Sequence, residues 1–195
     1  MNATPALRRW AVSTAAACAL GAGVGLTVAS GSSPLQYLDE TTGATVVAVG
    51  RPLVFGHERS TFGRDLVTVA AAAVDQSGKV SYILVAYFWS TGVPVDRPIA
   101  PDRLILQADG RRIGLARLSQ SAHDAGIGRP VDHPPFGTAT PYAYAIDVPT
   151  VQRMAAARDL ELYLQGDSAP LSYRLLEDGR RSLEDWVRFL GEHPL

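Results

Sequence analysis

The chain has 195 residues, 47% of them hydrophobic, with 18 basic and 19 acidic side chains and a net charge of −1. That length supports one domain with a sizeable core, and the hydrophobic content argues against disorder. Taking Arg8 and Arg9 away with residues 1–30 leaves 16 basic against 19 acidic residues, a net charge of −3, which argues against a nucleic-acid partner bound through its phosphates.

Residues 1–30 read as an export signal. A short basic start ends in Arg8-Arg9, and an apolar run of small residues follows from Trp10 to Ala29. Val28 and Ser30 suit the positions before a signal-peptidase cut, which would make Gly31 the mature start. Three alternatives stand beside this. The run is long enough to stay as a membrane span. Arg8-Arg9-Trp10-Ala11-Val12 has some likeness to a twin-arginine signal. Ala15-Ala16-Ala17-Cys18 resembles a lipobox, with Cys18 as the lipidated residue. Against lipidation, few residues separate Arg9 from Cys18, and the chain stays apolar beyond it. Cys18 is the sole cysteine, so the body has no disulfide and no thiolate metal site.

Residues 31–34 form a linker, and one globular domain is expected over 35–195. Residues 37–43 read as a lead-in and turn. Ala44–Val49 is a strand that Gly50-Arg51-Pro52 bends and Leu53–Phe55 resumes. Gly56–Arg64 is read as a polar loop. Leu66–Val74 and Val80–Ser90 form the central hairpin, joined through residues 75–79 with Gly78 at the turn. The second strand is apolar on both faces, Val80, Tyr82, Leu84, Ala86 and Phe88 against Ile83, Val85, Tyr87 and Trp89. Such a strand belongs mid-sheet with both sides covered. Ala70–Ala73 would fit a helix as well as a strand.

A proline-bearing connection, 91–102, leads to a second hairpin. Its strands are Arg103–Ala108 and Arg111–Leu118, turning at Asp109-Gly110. Residues 119–141 are rich in Gly, Pro, His and Asp with little periodicity; loops of that length are functional or mobile. Tyr142–Val148 alternates as a strand. Pro149–Ala157 suits two helical turns. Leu160–Gln165 and Pro170–Leu176 are strands. Ser182 with Asp185 reads as a capping-box start for a last helix, with Leu183, Trp186, Val187 and Leu190 on one apolar face and an end at Gly191.

Catalytic motifs are sparse. Gly166-Asp167-Ser168 has the triplet of the SGNH hydrolases, but no Asp-x-x-His follows it, and a turn is the simpler reading. His57-Glu58 lacks the second histidine of a zincin helix. His123, Asp124, Asp132 and His133 share the long loop, with Tyr142 at its edge, and these five are the candidate ligand-binding residues. Their spacing matches no compact metal motif, so neither a metal nor a cofactor is expected. The aromatics Tyr82, Tyr87, Phe88, Trp89, Tyr142 and Tyr144 are read as core in preference to a ligand cleft.

Over residues 35–90, the stretches PLQYLDETTGATVVAVGRPLVFGHER and DLVTVAAAAVDQSGKVSYILVAYFWST are similar to exported proteins of Gram-negative bacteria of unknown function, many described as lipoproteins. The resemblance implies an envelope location and brings no activity and no site residues.

The expected fold is mainly β. About seven or eight antiparallel strands form a sandwich or a curved sheet, with a short helix near 149–157 and a C-terminal amphipathic helix near 182–191. The expected role is a non-enzymatic binding or accessory module of the periplasm or cell envelope. Its partner is an envelope protein or a small ligand, and it touches the membrane only through residues 1–30. The alternative is a hydrolase of unfamiliar type, with the 119–141 loop as lid and His123 or His133 as base.

Overall fold

A computed structural model describes residues 33–60, 63–91, 102–118, 121–131, 141–165 and 170–195. The export segment with Cys18, most of the 91–102 connection, the Gly166-Asp167-Ser168 triplet, Asp132 and His133 lie outside these residues. The fold is mainly β, ten antiparallel strands in one curled sheet with two helices. In chain order the strands are β1 (Leu35–Asp39), β2 (Ala44–Ala48), β3 (Leu53–Ser60), β4 (Gly63–Gln76), β5 (Lys79–Thr91), β6 (Arg103–Ala108), β7 (Arg111–Ala116), β8 (Pro141–Ala145), β9 (Leu160–Gln165) and β10 (Pro170–Glu177). The helices are α1 (Val148–Ala156) and α2 (Arg180–Glu192).

β4 is the axis of the sheet. β5 lies along one edge from Arg64↔Thr91 to Gln76↔Lys79. The other edge takes two strands end to end, β2 from Thr45↔Asp75 to Ala48↔Ala72 and β3 from Leu53↔Val69 onward. The bend at Gly50–Pro52 thus interrupts one line of strand, as its glycine and proline require. From β3 the sheet continues through β10, β9 and β6 to β7, and from β5 to β8. The result is a half-barrel whose two ends touch at one point. Arg117 bridges Tyr144, and the Leu118 N–H donates to the Ala143 carbonyl at 2.8 Å.

The central hairpin is tighter than its sequence suggests. Ser77 and Gly78 alone make the turn, both at positive φ (58° and 81°), the geometry that matches the twist of the flanking strands. The Asp75 carboxylate steadies it by accepting from the Gly78 N–H at 2.9 Å. Ala70–Ala73 are strand, all buried. The two apolar faces of β5 go to two clusters. Leu84 and Ala86 join the interior of the curl with Phe55, Val67, Leu104, Leu106, Leu162 and Leu164. Ile83, Val85 and Tyr87 join an outer cluster with Val46, Ala72 and Val74, closed by Ala122, Ala125 and Ile127.

The helices close one end of the curl. α1 is capped by Asp147, whose side chain accepts from the Thr150 N–H at 2.8 Å. Leu183 and Trp186 of α2 are buried in the interior cluster. The Trp186 indole donates to the Val47 carbonyl at 2.8 Å and meets Tyr82 edge-on at 6.3 Å.

Four expectations change. Residues 35–39 form a strand, β1, where a lead-in was expected. The polar stretch 56–64 is mostly strand. Within it Arg64 pairs with Glu58 at 3.0 Å across the ladder, and both side chains are exposed. β1 and the separate β3 raise the count to ten. Finally, α2 begins at Arg180 with no side-chain cap. Ser182 is buried, and its hydroxyl accepts from the Arg51 N–H at 2.9 Å, fastening the helix to the β2–β3 bend.

Trp186→Phe should cost about 0.5–1.5 kcal/mol by removing the indole hydrogen bond to the Val47 carbonyl, and Trp186→Ala about 3–5 kcal/mol. Urea unfolding midpoints check both.

Candidate functional site

Among the described residues, the interior cluster of the curl is apolar, and polar groups join its face at the end away from the helices. Phe55, Val67 and Phe88 point inward on β3, β4 and β5. Two residues along each strand, the same face carries His57, Asp65 and Ser90. Register sets them in a row, His57 opposite Asp65 and Asp65 opposite Ser90, which places neighbouring Cβ atoms about 5 Å apart. All three are half-buried.

The bonding within the row assigns each group a state. The Ser90 hydroxyl donates to Asp65 Oδ1 at 2.7 Å. His57 Nδ1 lies 2.8 Å from the Ser172 carbonyl. A carbonyl only accepts, so the proton of the neutral ring sits on Nδ1 and the lone pair on Nε2. The Tyr173 ring lies 5.3 Å away and holds the imidazole plane. The row therefore presents an imidazole acceptor, a carboxylate and a hydroxyl. The hydroxyl is bonded to the carboxylate and not to the imidazole, which is not the order of a nucleophile and its base. Nearby, Phe88 meets Tyr142 edge-on at 5.7 Å, and the Arg117 guanidinium lies 5.8 Å from the Tyr142 ring while pairing with Asp102 at 2.7 Å.

The five residues proposed from the sequence fall in separate places. His123 and Asp124 sit together in an exposed turn, His123 Nδ1 3.8 Å from Asp124 Oδ1. Ser121 holds that turn. Its hydroxyl donates to Asp124 Oδ2 at 2.8 Å, and its N–H also reaches that oxygen. These bonds hold the Asp124 carboxyl below the usual range. Tyr142 alternates with Ala143, which faces the outer cluster, so its ring lies on the opposite, inner face of the sheet. Asp132 and His133 are outside the described residues. Among the described residues no three His, Cys, Asp or Glu side chains gather as a metal site, and no helix is long and apolar enough to cross a membrane. A groove of about 170 Å³ beside Ala108, Ile113, Arg153 and Ala157 is smaller than the roughly 300 Å³ at which ligand pockets begin.

Residues 121–131 are fastened to the sheet. Asp39, at the end of β1, is 1% exposed. Its Oδ1 accepts from the Thr41 N–H, the Thr41 hydroxyl and the Thr42 N–H, and its Oδ2 from the Gly128 and Arg129 N–H groups. Burial alone would raise its pKa. The hydrogen bonds from Thr41, Arg129 and Gly128 together outweigh that and bring it down to about 2. The Thr42 hydroxyl donates to the Gly126 carbonyl at 2.9 Å, and the Val131 N–H donates to the Tyr87 hydroxyl at 3.1 Å. Gly126, at φ +94°, lies so close to the sheet that a Cβ there would sit 2.5 Å from Val74 Cγ1.

No family model, no curated protein and no solved structure matches this chain. The fold and the site are therefore read from the residues themselves.

His57, Asp65 and Ser90 carry a signal only in combination. They stand 8 and 25 residues apart in sequence, and their meeting depends on β3 and β4 continuing through the polar stretch.

The depressed pKa of Asp39 fixes the sign of a pH effect. Its folded value, about 2, lies below the ordinary 3.8. The stabilisation, about 2 kcal/mol, is thus complete above about pH 5 and is lost as pH falls toward 2. The gap in unfolding midpoint between the wild type and Asp39→Asn should be largest at neutral pH and narrow on acidification. A gap independent of pH would contradict this.

Proposed function

We propose that the chain is an exported cell-envelope protein that serves as a binding or accessory module, working through the end of the sheet that carries His57, Asp65 and Ser90. The export reading rests on residues 1–30, with the basic start at Arg8-Arg9 and the uncharged run that follows. Cleavage before Gly31 releases the body to the periplasm. Retention of the segment, or lipidation at Cys18, holds it at the membrane.

The observation that carries the binding reading is the polar row on an otherwise apolar face. This chain keeps three polar groups side by side at one end, His57 bonded to the Ser172 carbonyl and Ser90 to Asp65. They set an imidazole and a bonded carboxyl–hydroxyl pair beside the Phe88–Tyr142 aromatic pair. A few convergent polar groups edged by aromatics suit a small ligand or a peptide loop of an envelope partner. The interior beyond the row is filled with side chains, so contact is made at the rim. The hydrolase alternative draws less support, because residues 121–131 are fastened to the outer face by Asp39 and are poorly placed to act as a lid.

A photoreactive side chain placed at Ser90 should yield a discrete cross-linked species in cells, and one at Lys79, in the opposite turn, should not. Equal or absent cross-linking at the two positions would contradict the reading. Mass spectrometry of the mature chain should find Gly31 at its N-terminus, and an intact Met1 in the cytosolic fraction would count against export.

A further inference from the structure

β1 ends the sheet. β2 occupies one of its edges, and no described strand lies on the other. The direction of its backbone groups follows from one bond. The Asp39 carbonyl accepts from the Gly43 N–H at 2.7 Å, on the β2 side. Backbone groups alternate along a strand, so those of Tyr37 and Leu35 also point toward β2. The N–H and C=O groups of Gln36 and Leu38 point away from it, at the free edge.

Natural edge strands are blunted by lysine, proline, bulges or a covering element. Residues 35–38 carry no charge and no proline. Their register with β2 is unbroken from Leu35↔Ala48 to Asp39↔Ala44. Leu35 and Leu38 are 52% and 62% exposed, the two most exposed large hydrophobic side chains among the described residues. The one acid, Asp39, is buried and spent on internal bonds. The strand is also stiffened from behind, since the Arg129 guanidinium lies 3.8 Å from the Tyr37 ring and the Asp39 bonds hold the following turn. This edge is unbroken, uncharged and pre-organised.

We infer that β1 pairs with β1 of a second copy of this chain, antiparallel across a two-fold axis. A symmetric pair that keeps each face of the sheet continuous allows few registers. With Tyr37 opposite the second copy's Tyr37, Gln36 of each copy lies opposite Leu38 of the other. The outward groups then exchange four backbone hydrogen bonds. Sliding by two residues in either direction leaves one pair, and in one of these registers Pro34, which has no N–H, faces Leu38. The strand is thus complementary to itself in one register, with no like charges opposed over residues 35–38. A five-residue edge buries less than the roughly 1,200 Å² of a stable complex, so the association is weak and depends on concentration. It is independent of the His57–Ser90 row.

The test is sedimentation equilibrium of the exported chain, purified as cells process it, from about 1 to about 500 µM. The wild type should pass from monomer to dimer within that range. Leu38→Lys should weaken association at least about tenfold by placing charge at the seam. Leu38→Pro should do the same by removing an outward N–H while leaving the β2 ladder intact. Leu176→Lys, at another exposed leucine (47%), should leave association unchanged. Thermal midpoints identify any variant that fails to fold, and the other substitution at Leu38 then decides. A monomer throughout the range, or a dimer indifferent to a folded Leu38 variant, would overturn the inference.

Discussion

The structure depends on one constraint, a long hairpin that is apolar on both faces. β4 and β5 pair without interruption from Arg64↔Thr91 to Gln76↔Lys79, and the stretch 83–87 is buried residue after residue. Residues such as Ile83, Leu84 and Val85 contribute about 1.5–3 kcal/mol each when fully buried, so neither face can be left to water. One face is satisfied by rolling the sheet on itself and closing the roll with Leu183 and Trp186. Among the described residues the other has no second sheet to meet. It is covered by residues 121–131, which bring Ala122, Ala125 and Ile127 to the contact with Val131 partly buried beside them.

That cover is the least conventional part of the molecule. It has no strand ladder and only a few backbone bonds of its own, such as the Ile127 N–H to the Ala122 carbonyl at 2.9 Å. Four more of its backbone groups find side chains from far along the chain: the Asp39 carboxylate, the Thr42 hydroxyl and the Tyr87 hydroxyl. A buried carboxylate with several N–H donors is stable because they stabilise its charge. The same residue fastens the turn after β1, so cover and edge strand share one anchor.

This division explains what the sequence could and could not show. The double apolar face of β5, the Asp109-Gly110 turn and the strand at Leu160–Gln165 are written in local periodicity, and the structure agrees, although β5 is buried on both faces only over Ile83–Tyr87 and Tyr82, read as core, is 36% exposed. The role of 121–131 is not local. Its glycines and turn residues resemble any mobile loop, and the residue that pins it lies about ninety positions earlier. Ser182 misled in the same way. It stands where a capping residue is expected, yet its hydroxyl serves Arg51. The candidate row was hidden by the reading of 56–64 as a loop, because His57 and Asp65 face one another only if both belong to strands. Of the residues picked from the long loop, His123 and Asp124 do sit together, and Tyr142 belongs to the opposite face near the row.

If residues 121–131 are a fixed layer of the fold, their backbone amides must be shielded as the sheet's are. Hydrogen exchange read at single residues in the native state tests this directly. The account predicts that the amides of Ile127, Gly128 and Arg129 exchange slowly, opening only in the larger fluctuations that expose β4 and β5. Exchange of these three at the rates of an unstructured peptide, with the β4–β5 amides still protected, would contradict it.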